Sequence, residues 1–184
     1  MEARTAQRAE PTTNLPAPPG RRETRPGSPV VAGLLLGIGF GGFFDGIVLH
    51  QILQWHHLLT STGAHPAATV AGLEANTLAD GLFHAFTFVA SLAGLFLLWD
   101  GLRRGAQLSA RGLGGLMLAG WGAFNLLEGV VAHQILTLHH VNYANVPLWD
   151  ALFLIFGAIL LIGGTVLARS ATRDAAVKAP RAGN

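Results

Sequence analysis

Four long apolar stretches are the feature that most limits what this chain can fold into. They lie near residues 30–58, 77–100, 112–138 and 148–168. Each is long enough for the ~20 residues that a helix needs to cross the hydrocarbon core of a bilayer. Only 12% of the residues are charged, which is about half the share in a soluble domain. The sequence therefore predicts an all-α integral membrane protein, a four-helix bundle that contacts the lipid bilayer.

The positive charges predict which side of the membrane each loop faces. All 12 Lys and Arg lie in the N-terminal tail, between the second and third apolar stretches, or in the C-terminal tail. By the positive-inside rule, both tails and the middle loop are cytoplasmic, and the loops at 59–76 and 139–147 face outward. Because the arginines flank spans and lack interleaved aromatic residues, nucleic acid is not an expected partner.

The predicted transmembrane domain covers residues 30–168 and lies between two tails. Residues 1–29 are rich in Pro, Arg, Thr and Ala, which favours a disordered cytoplasmic tail because little can be buried. Residues 169–184 form the expected C-terminal cytoplasmic tail. A cleaved signal peptide is the alternative for the first span, since basic residues precede an apolar run. The polar repeat inside that span argues against cleavage.

That repeat is a polar pattern that occurs twice, at an offset of 83 residues from Asp45 to Glu128. Residues 45–57 start with Asp-Gly, continue with His-Gln-Ile-Leu and end in His-His. Residues 128–140 start with Glu-Gly and carry the same later elements. Such self-similarity predicts an internal duplication.

A weaker match extends the repeat to the second member of each pair of spans. Span two has Asp80 followed by Leu, Phe and His84, and span four has Asp150 followed by Leu, Phe and Leu154. The repeats are therefore two tandem helical hairpins, 30–100 and 112–168. Parallel repeats of this kind are related by a pseudo-twofold axis along the membrane normal, which predicts that span three faces span one.

All eight histidines lie in the predicted outward half of the protein. At ~1.5 Å per residue, His50 and His84 lie ~12 Å below the outer surface, and the repeat places His133 at the level of His50. Asp45 and Glu128 are expected ~7 Å deeper. The pairs at 56–57 and 139–140 are expected at the outer boundary. The pattern predicts a polar column from the outer surface to the middle of the membrane.

Acids at this depth need an explanation, because each costs about 2.5–3.5 kcal/mol on insertion scales. One interpretation is a self-satisfied network, in which His50 bonds Glu128 and His133 bonds Asp45 across the axis. Metal binding is the favoured hypothesis, because neutral imidazole and carboxylate suit Zn, Fe or Cu. The expected ligands are His50, His84, His133, Asp45, Glu128 and Asp80. The expected supporting or access residues are Gln51, Gln134, His56, His57, His139, His140, Asp150 and Asn76.

Two other functions stay open at this point. Intramembrane acids and histidines also mark proton or ion pathways, with Asp45 and Glu128 as the relay. Histidines on facing helices are also typical of a bis-histidine haem b protein that transfers electrons. Whether the protein is an enzyme stays open too: no nucleophile is evident, since the chain has no Cys and Ser91 lies away from the histidines.

The segments GFFDGIVLHQILQWHH (42–57) and EGVVAHQIL (128–136) carry a family resemblance. They resemble an uncharacterised bacterial family of four-span membrane proteins, catalogued as domain of unknown function 2243. The resemblance covers about residues 30–170. It implies a location in the bacterial inner membrane. The family is associated with respiratory-oxidase assembly genes, which implies that assembly factors of those oxidases are partners and that the protein handles copper or haem.

Overall fold

The structure is a computed structural model that describes the backbone of residues 28–178 and the side chains of residues 29–173. The predictions for residues 1–27 and 179–184 lie outside the described residues. The described chain is all-helical, and four of its helices are long and apolar enough to cross a membrane. The predicted all-α, four-span architecture is therefore confirmed.

Two of the four spans are composite helices. Helix α1 (Ser28–Phe44) continues directly into a π-helical segment, π1 (Asp45–Ile52), and α3 (Ala110–Glu128) continues into π2 (Gly129–Ile135). Helices α2 (Val70–Arg103) and α4 (Val146–Lys178) are regular. Helix α4 thus runs on beyond residue 168, where the sequence predicted the tail.

The close helix contacts in the described chain follow the order α2–α1–α3–α4. Helix α1 packs against α2 and α3, and α3 packs against α1 and α4. The windows of the first and third spans are 50% and 44% buried, against 17% and 11% for the second and fourth. Helices α1 and α3 therefore form the centre, in contact as the sequence predicted, and α2 and α4 flank them with large apolar side chains exposed.

Glycine lets the two central helices come close. A Cβ added at Gly37 of α1 would meet the backbone carbonyl of Met117 in α3. A Cβ added at Gly120 of α3 would in turn meet the backbone of Leu34 in α1. Small residues at contact points are the usual packing device of helices in lipid, where the hydrophobic effect does not drive association. This contact joins the first and second halves of the described chain.

Both π segments end in a turn that directs the chain back toward the helices. Leu53 and Leu136 donate backbone hydrogen bonds to residues five positions earlier, at 2.8 Å in both segments, which is the π-helical pattern. The residue directly after each of these leucines has a positive φ, which is 50° at Gln54 and 45° at Thr137. The two loops that follow contact each other, and Ser61 Oγ lies 2.6 Å from the hydroxyl of Tyr143. The loops therefore close the pocket between the two π segments.

Candidate metal centre

Four histidines converge between the ends of the two central spans. We call them the histidine cluster: His50, His56, His133 and His139. Each is at most 2% exposed. The rings of His56 and His139 are stacked with centroids 4.6 Å apart. His50 lies 4.4 Å from His56, and His133 lies 4.7 Å from His139. Each repeat thus supplies one histidine from its π segment and one from its loop.

The π segments decide which acid accompanies each histidine. Asp45 and His50 are five residues apart, as are Glu128 and His133. In an α-helix, with 3.6 residues per turn, such positions lie about 140° apart around the axis. In a π-helix the residue five positions on lies in the next turn on the same side. Asp45 Oδ2 accordingly lies 3.2 Å from His50 Nε2, and Glu128 Oε1 lies 2.9 Å from His133 Nε2.

Two carboxylates on the flanking helices hold the π-segment histidines by their other nitrogen. His50 donates from Nδ1 to Asp80 of α2 at 2.9 Å. The Nδ1 of His133 lies 3.5 Å from Asp150 of α4 and makes no hydrogen bond within the described chain. A carboxylate on the far nitrogen fixes the ring orientation and its tautomer, which leaves Nε2 for the pocket.

The same two carboxylates also fasten the loops. His57 donates from Nδ1 to the second oxygen of Asp80 at 2.8 Å, and His140 does so to Asp150 at 2.7 Å. Further donors to these acids are the backbone amides of Leu58 and Val141 and the side-chain amides of Gln51 and Gln134. The contacts of one half therefore have counterparts in the other. This correspondence favours the predicted duplication, which stays a prediction.

The loop histidines are held by backbone carbonyls of the opposite half. His56 donates from Nδ1 to the carbonyl of Val141 at 2.9 Å, and His139 donates from Nδ1 to the carbonyl of Leu58 at 3.2 Å. A carbonyl only accepts, so each Nδ1 carries the hydrogen. Burial, followed by the nearby His139 and His50, lowers the pKa of His56 from 6.5 to about 2. His56 is therefore a neutral imidazole whose Nε2 has a free lone pair.

The inward Nε2 atoms lack ordinary hydrogen-bond partners. In the described part of the chain, Nε2 of His50, His56 and His133 and Oε2 of Glu128 are buried without one. The Nε2 of His139 lies 2.8 Å from Glu128 Oε1. Because the hydrogen of His139 is on Nδ1, a lone pair faces a carboxylate there. A proton or a cation between the two atoms is needed to make this contact attractive.

Two groups of side chains have ligand atoms close enough to hold a metal ion. One is His50, His56 and His139, and the other is Glu128, His133 and His139; within each group these atoms lie within 4.8 Å of one another. Positive charge is remote, because the described arginines of α2, α3 and α4 lie at the opposite ends of their helices. An ion at the cluster would offset the cost of burying the carboxylates.

The family comparison agrees with this membrane architecture. Residues 32–171 match the model of a family described as "Predicted membrane protein (DUF2243)". The chain belongs to this family. No curated protein and no solved structure matches it. The DUF2243 match and the four long apolar helices together make the chain a multi-pass membrane protein.

One interpretation of the histidines of this DUF2243 chain, the self-satisfied network, is wrong in its pairs. The proposed pairing across the axis does not occur, because His50 contacts Asp45 and His133 contacts Glu128, each within its own span. The side chains of His56 and His139 are buried in the cluster, whereas their expected position at the outer boundary of the membrane stays a prediction.

Two other residues singled out from the sequence lie outside the cluster. His84 lies against Gly46, where a Cβ would come within 2.5 Å of its Nε2, and its ring stacks on Phe43 at 6.3 Å. In the other half, Leu154 takes the equivalent place beside Gly129. Asn76 anchors the first loop, donating to the carbonyl of His65 at 2.8 Å. The metal roles assigned to individual residues stay predictions.

Proposed function

We propose that this membrane protein binds a divalent transition metal at the histidine cluster, with Asp45 and Glu128 as further ligands. One observation carries the proposal. Three of the four buried histidines, His50, His56 and His139, donate from Nδ1 to a carboxylate or a carbonyl, which leaves Nε2 for the cluster; Nδ1 of His133 lies 3.5 Å from Asp150. Metal-binding histidines are held in this manner, with the non-ligating nitrogen on a carboxylate or a carbonyl.

The types of ligand atom in the cluster limit which metal ion is expected. The set consists of imidazole nitrogens and carboxylate oxygens without sulfur, which suits Zn, Fe or Cu in the divalent state. Metal ions without a macrocycle fit this packing better than haem b does. The rings of His56 and His139 are stacked at 4.6 Å and only 8° from parallel, which leaves no slot for a macrocycle between them.

The position of the site favours metal handling, as storage or delivery, at the predicted outward side. The cluster lies under the two loops. Two neighbouring histidines, His57 and His140, are partly exposed, with 17% and 21% of their side chains accessible. Both contact the carboxylates that hold the cluster. An ion arriving from that side would meet these two imidazoles first.

A second candidate function, a proton pathway, is favoured by the continuity of the same contacts. A chain of polar atoms runs from His57 through Asp80 and His50 to Asp45, with steps of 2.8, 2.9 and 3.2 Å. A matching chain in the other half ends at Glu128. Connected histidines and acids at this depth are the usual elements of intramembrane proton relays.

Metal analysis of the purified protein tests the first proposal against the second. Protein purified in detergent from cells supplied with Zn, Fe and Cu is compared with the double variant His50→Gln/His133→Gln by elemental mass spectrometry. We expect at least tenfold less bound metal in the double variant, because it removes one imidazole from each half, and even the loss of a residue that only supports a ligand costs about 10–100-fold in affinity. The matched control is His65→Gln in the first loop, which should retain the metal.

Equal metal content in the wild-type and double-variant proteins would contradict the metal proposal. Proton uptake by liposomes that contain the metal-free wild-type protein, lost in Asp80→Asn, would then favour the pathway.

A further inference from the structure

We infer that the histidine cluster is a dinuclear centre, with one metal ion in each half. Glu128, His133 and His139 bind one ion, and Asp45, His50 and His56 bind the other. This inference rests on the proposed function, because it uses the same donors. It adds the number of ions, the division of the ligands between them and a difference in affinity.

The division of ligands follows from the geometry of His139. This residue belongs to both groups of potential ligands, but its Nδ1–H is donated to the carbonyl of Leu58. Only one lone pair, on Nε2, is left, and it can serve one ion. Glu128 Oε1 lies 2.8 Å from this atom and 2.9 Å from His133 Nε2. Glu128 therefore draws His139 into the second-half site.

The ligands that are left, Asp45, His50 and His56, are assigned to the other ion. His50 and His56 have buried Nε2 atoms without a hydrogen-bond partner in the described part of the chain, and their rings lie 4.4 Å apart. Asp45 Oδ2 lies 3.2 Å from His50 Nε2. Each half thus supplies two imidazoles and one carboxylate, a set typical of metal sites that keep open coordination positions.

Charge gives a second, independent argument for two ions. Four carboxylates surround the cluster, and each side chain is at most 10% exposed; they are Asp45, Asp80, Glu128 and Asp150. Two divalent cations offset four negative charges, whereas one leaves an excess of two. Uncompensated charge in a low-dielectric site is strongly unfavourable.

The two sites are not equal, because Glu128 is one methylene longer than Asp45. Glu128 reaches both histidines of its site, whereas the short contact of Asp45 is with His50. Asp45 also lines a cavity of about 60 Å³ together with Asn125, whose Oδ1 is buried without a partner in the described chain. That volume can hold a water molecule. The first-half ion therefore has fewer close protein ligands, room for a solvent ligand and the weaker affinity.

Titration of the metal-free protein with Co²⁺ tests this inference. Bound metal per chain is measured by elemental mass spectrometry, and the visible spectrum reports on the ligand field. We expect two Co²⁺ per wild-type chain, bound in two steps whose affinities differ at least tenfold. Asp45→Asn should lose the weaker step and retain the tighter one. Asp100→Asn, the same substitution at an exposed position at the opposite end of α2, should still bind two ions.

The outcomes separate this inference from the proposed function. One Co²⁺ per wild-type chain would overturn the dinuclear centre and leave the metal-binding function standing. No Co²⁺ at all would overturn both. Two ions retained in Asp45→Asn would overturn the assignment of ligands. Should Asp45→Asn fail to fold, which a thermal melt of the metal-free protein reveals, the wild-type stoichiometry still decides the number of ions.

Discussion

His56 illustrates how one hydrogen bond determines what a buried imidazole can do. Its Nδ1–H is donated to Val141, so the neutral tautomer has its lone pair on Nε2, inside the pocket. Burial lowers the pKa of this residue far below 6.5. The result is a nitrogen ligand that stays neutral under mildly acidic conditions, at the cost of pH-dependent stability.

The pH dependence can be predicted with its sign. Below pH 6.5 the unfolded chain takes up a proton at His56 that the folded chain does not. The free energy of unfolding therefore decreases as the pH is lowered. From pH 7.5 to pH 5.5 this group alone lowers the free energy of unfolding by about 1.4 kcal/mol. Metal-free His56→Gln should lose that much less stability than the wild-type protein, measured by denaturant unfolding in micelles. An equal loss in both proteins would contradict the assignment; His65→Gln is the control.

The sequence patterns predicted which residues form the site better than they predicted the contacts among those residues. The repeat identified His50, His133, Asp45 and Glu128 as candidates, and the structure brings them to one pocket. The importance of His56 and His139 could not be derived, because it depends on a turn of the chain and on carbonyls from the other half. The repeat of the His-His pair at 139–140 was the available signal.

The π segments are the elements that set the geometry of the site. They place each acid beside the histidine five residues later. Two residues after the last residue of each segment comes a residue of positive φ, Gln54 or Thr137. Neither feature has a sequence signal as clear as the apolar pattern that predicted the spans. The helices could therefore be predicted from hydrophobicity, whereas their outer ends could not.

Thr137 allows a test of the turn that ends π2. A β-branched residue at positive φ is strained by about 1–2 kcal/mol, whereas glycine adopts this conformation readily. Thr137→Gly should therefore raise the free energy of unfolding by about 1 kcal/mol, after the entropy cost of glycine, and leave the bound metal unchanged. Thr137→Val retains the branched Cβ and should give no gain. A thermal melt that shows Thr137→Gly less stable than Thr137→Val would contradict this account.

At the scale of the whole molecule, the α1–α3 contact joins the two halves. Each half has its own packed pair of helices, α1 with α2 and α3 with α4, and the central contact depends on glycines that permit backbone approach. Small residues at helix contacts account for close packing in general. Which glycines meet which backbone atoms depends on helix rotation, which composition does not determine.

Gly37→Val tests this contact. The added side chain would meet the carbonyl of Met117, which cannot move without its helix. We expect a loss of about 2–3 kcal/mol in stability, at the upper end for overpacking, and a loss of bound metal as the halves separate. Gly163→Val is the matched control, because a Cβ at Gly163 meets nothing within 4 Å. The outcome that contradicts this prediction is a Gly37→Val protein with the melting temperature and metal content of Gly163→Val.

The reciprocal anchoring of His56 and His139 has a consequence for how the site can exist at all. Each of these imidazoles is oriented by a carbonyl of the other hairpin, Val141 in one direction and Leu58 in the other. A hairpin by itself would hold its carboxylate and its first histidine, while the second histidine would be free to rotate. Assembly of the two hairpins and completion of the ligand set are therefore one event, and the smallest unit that can hold all four histidines in place is the pair of hairpins.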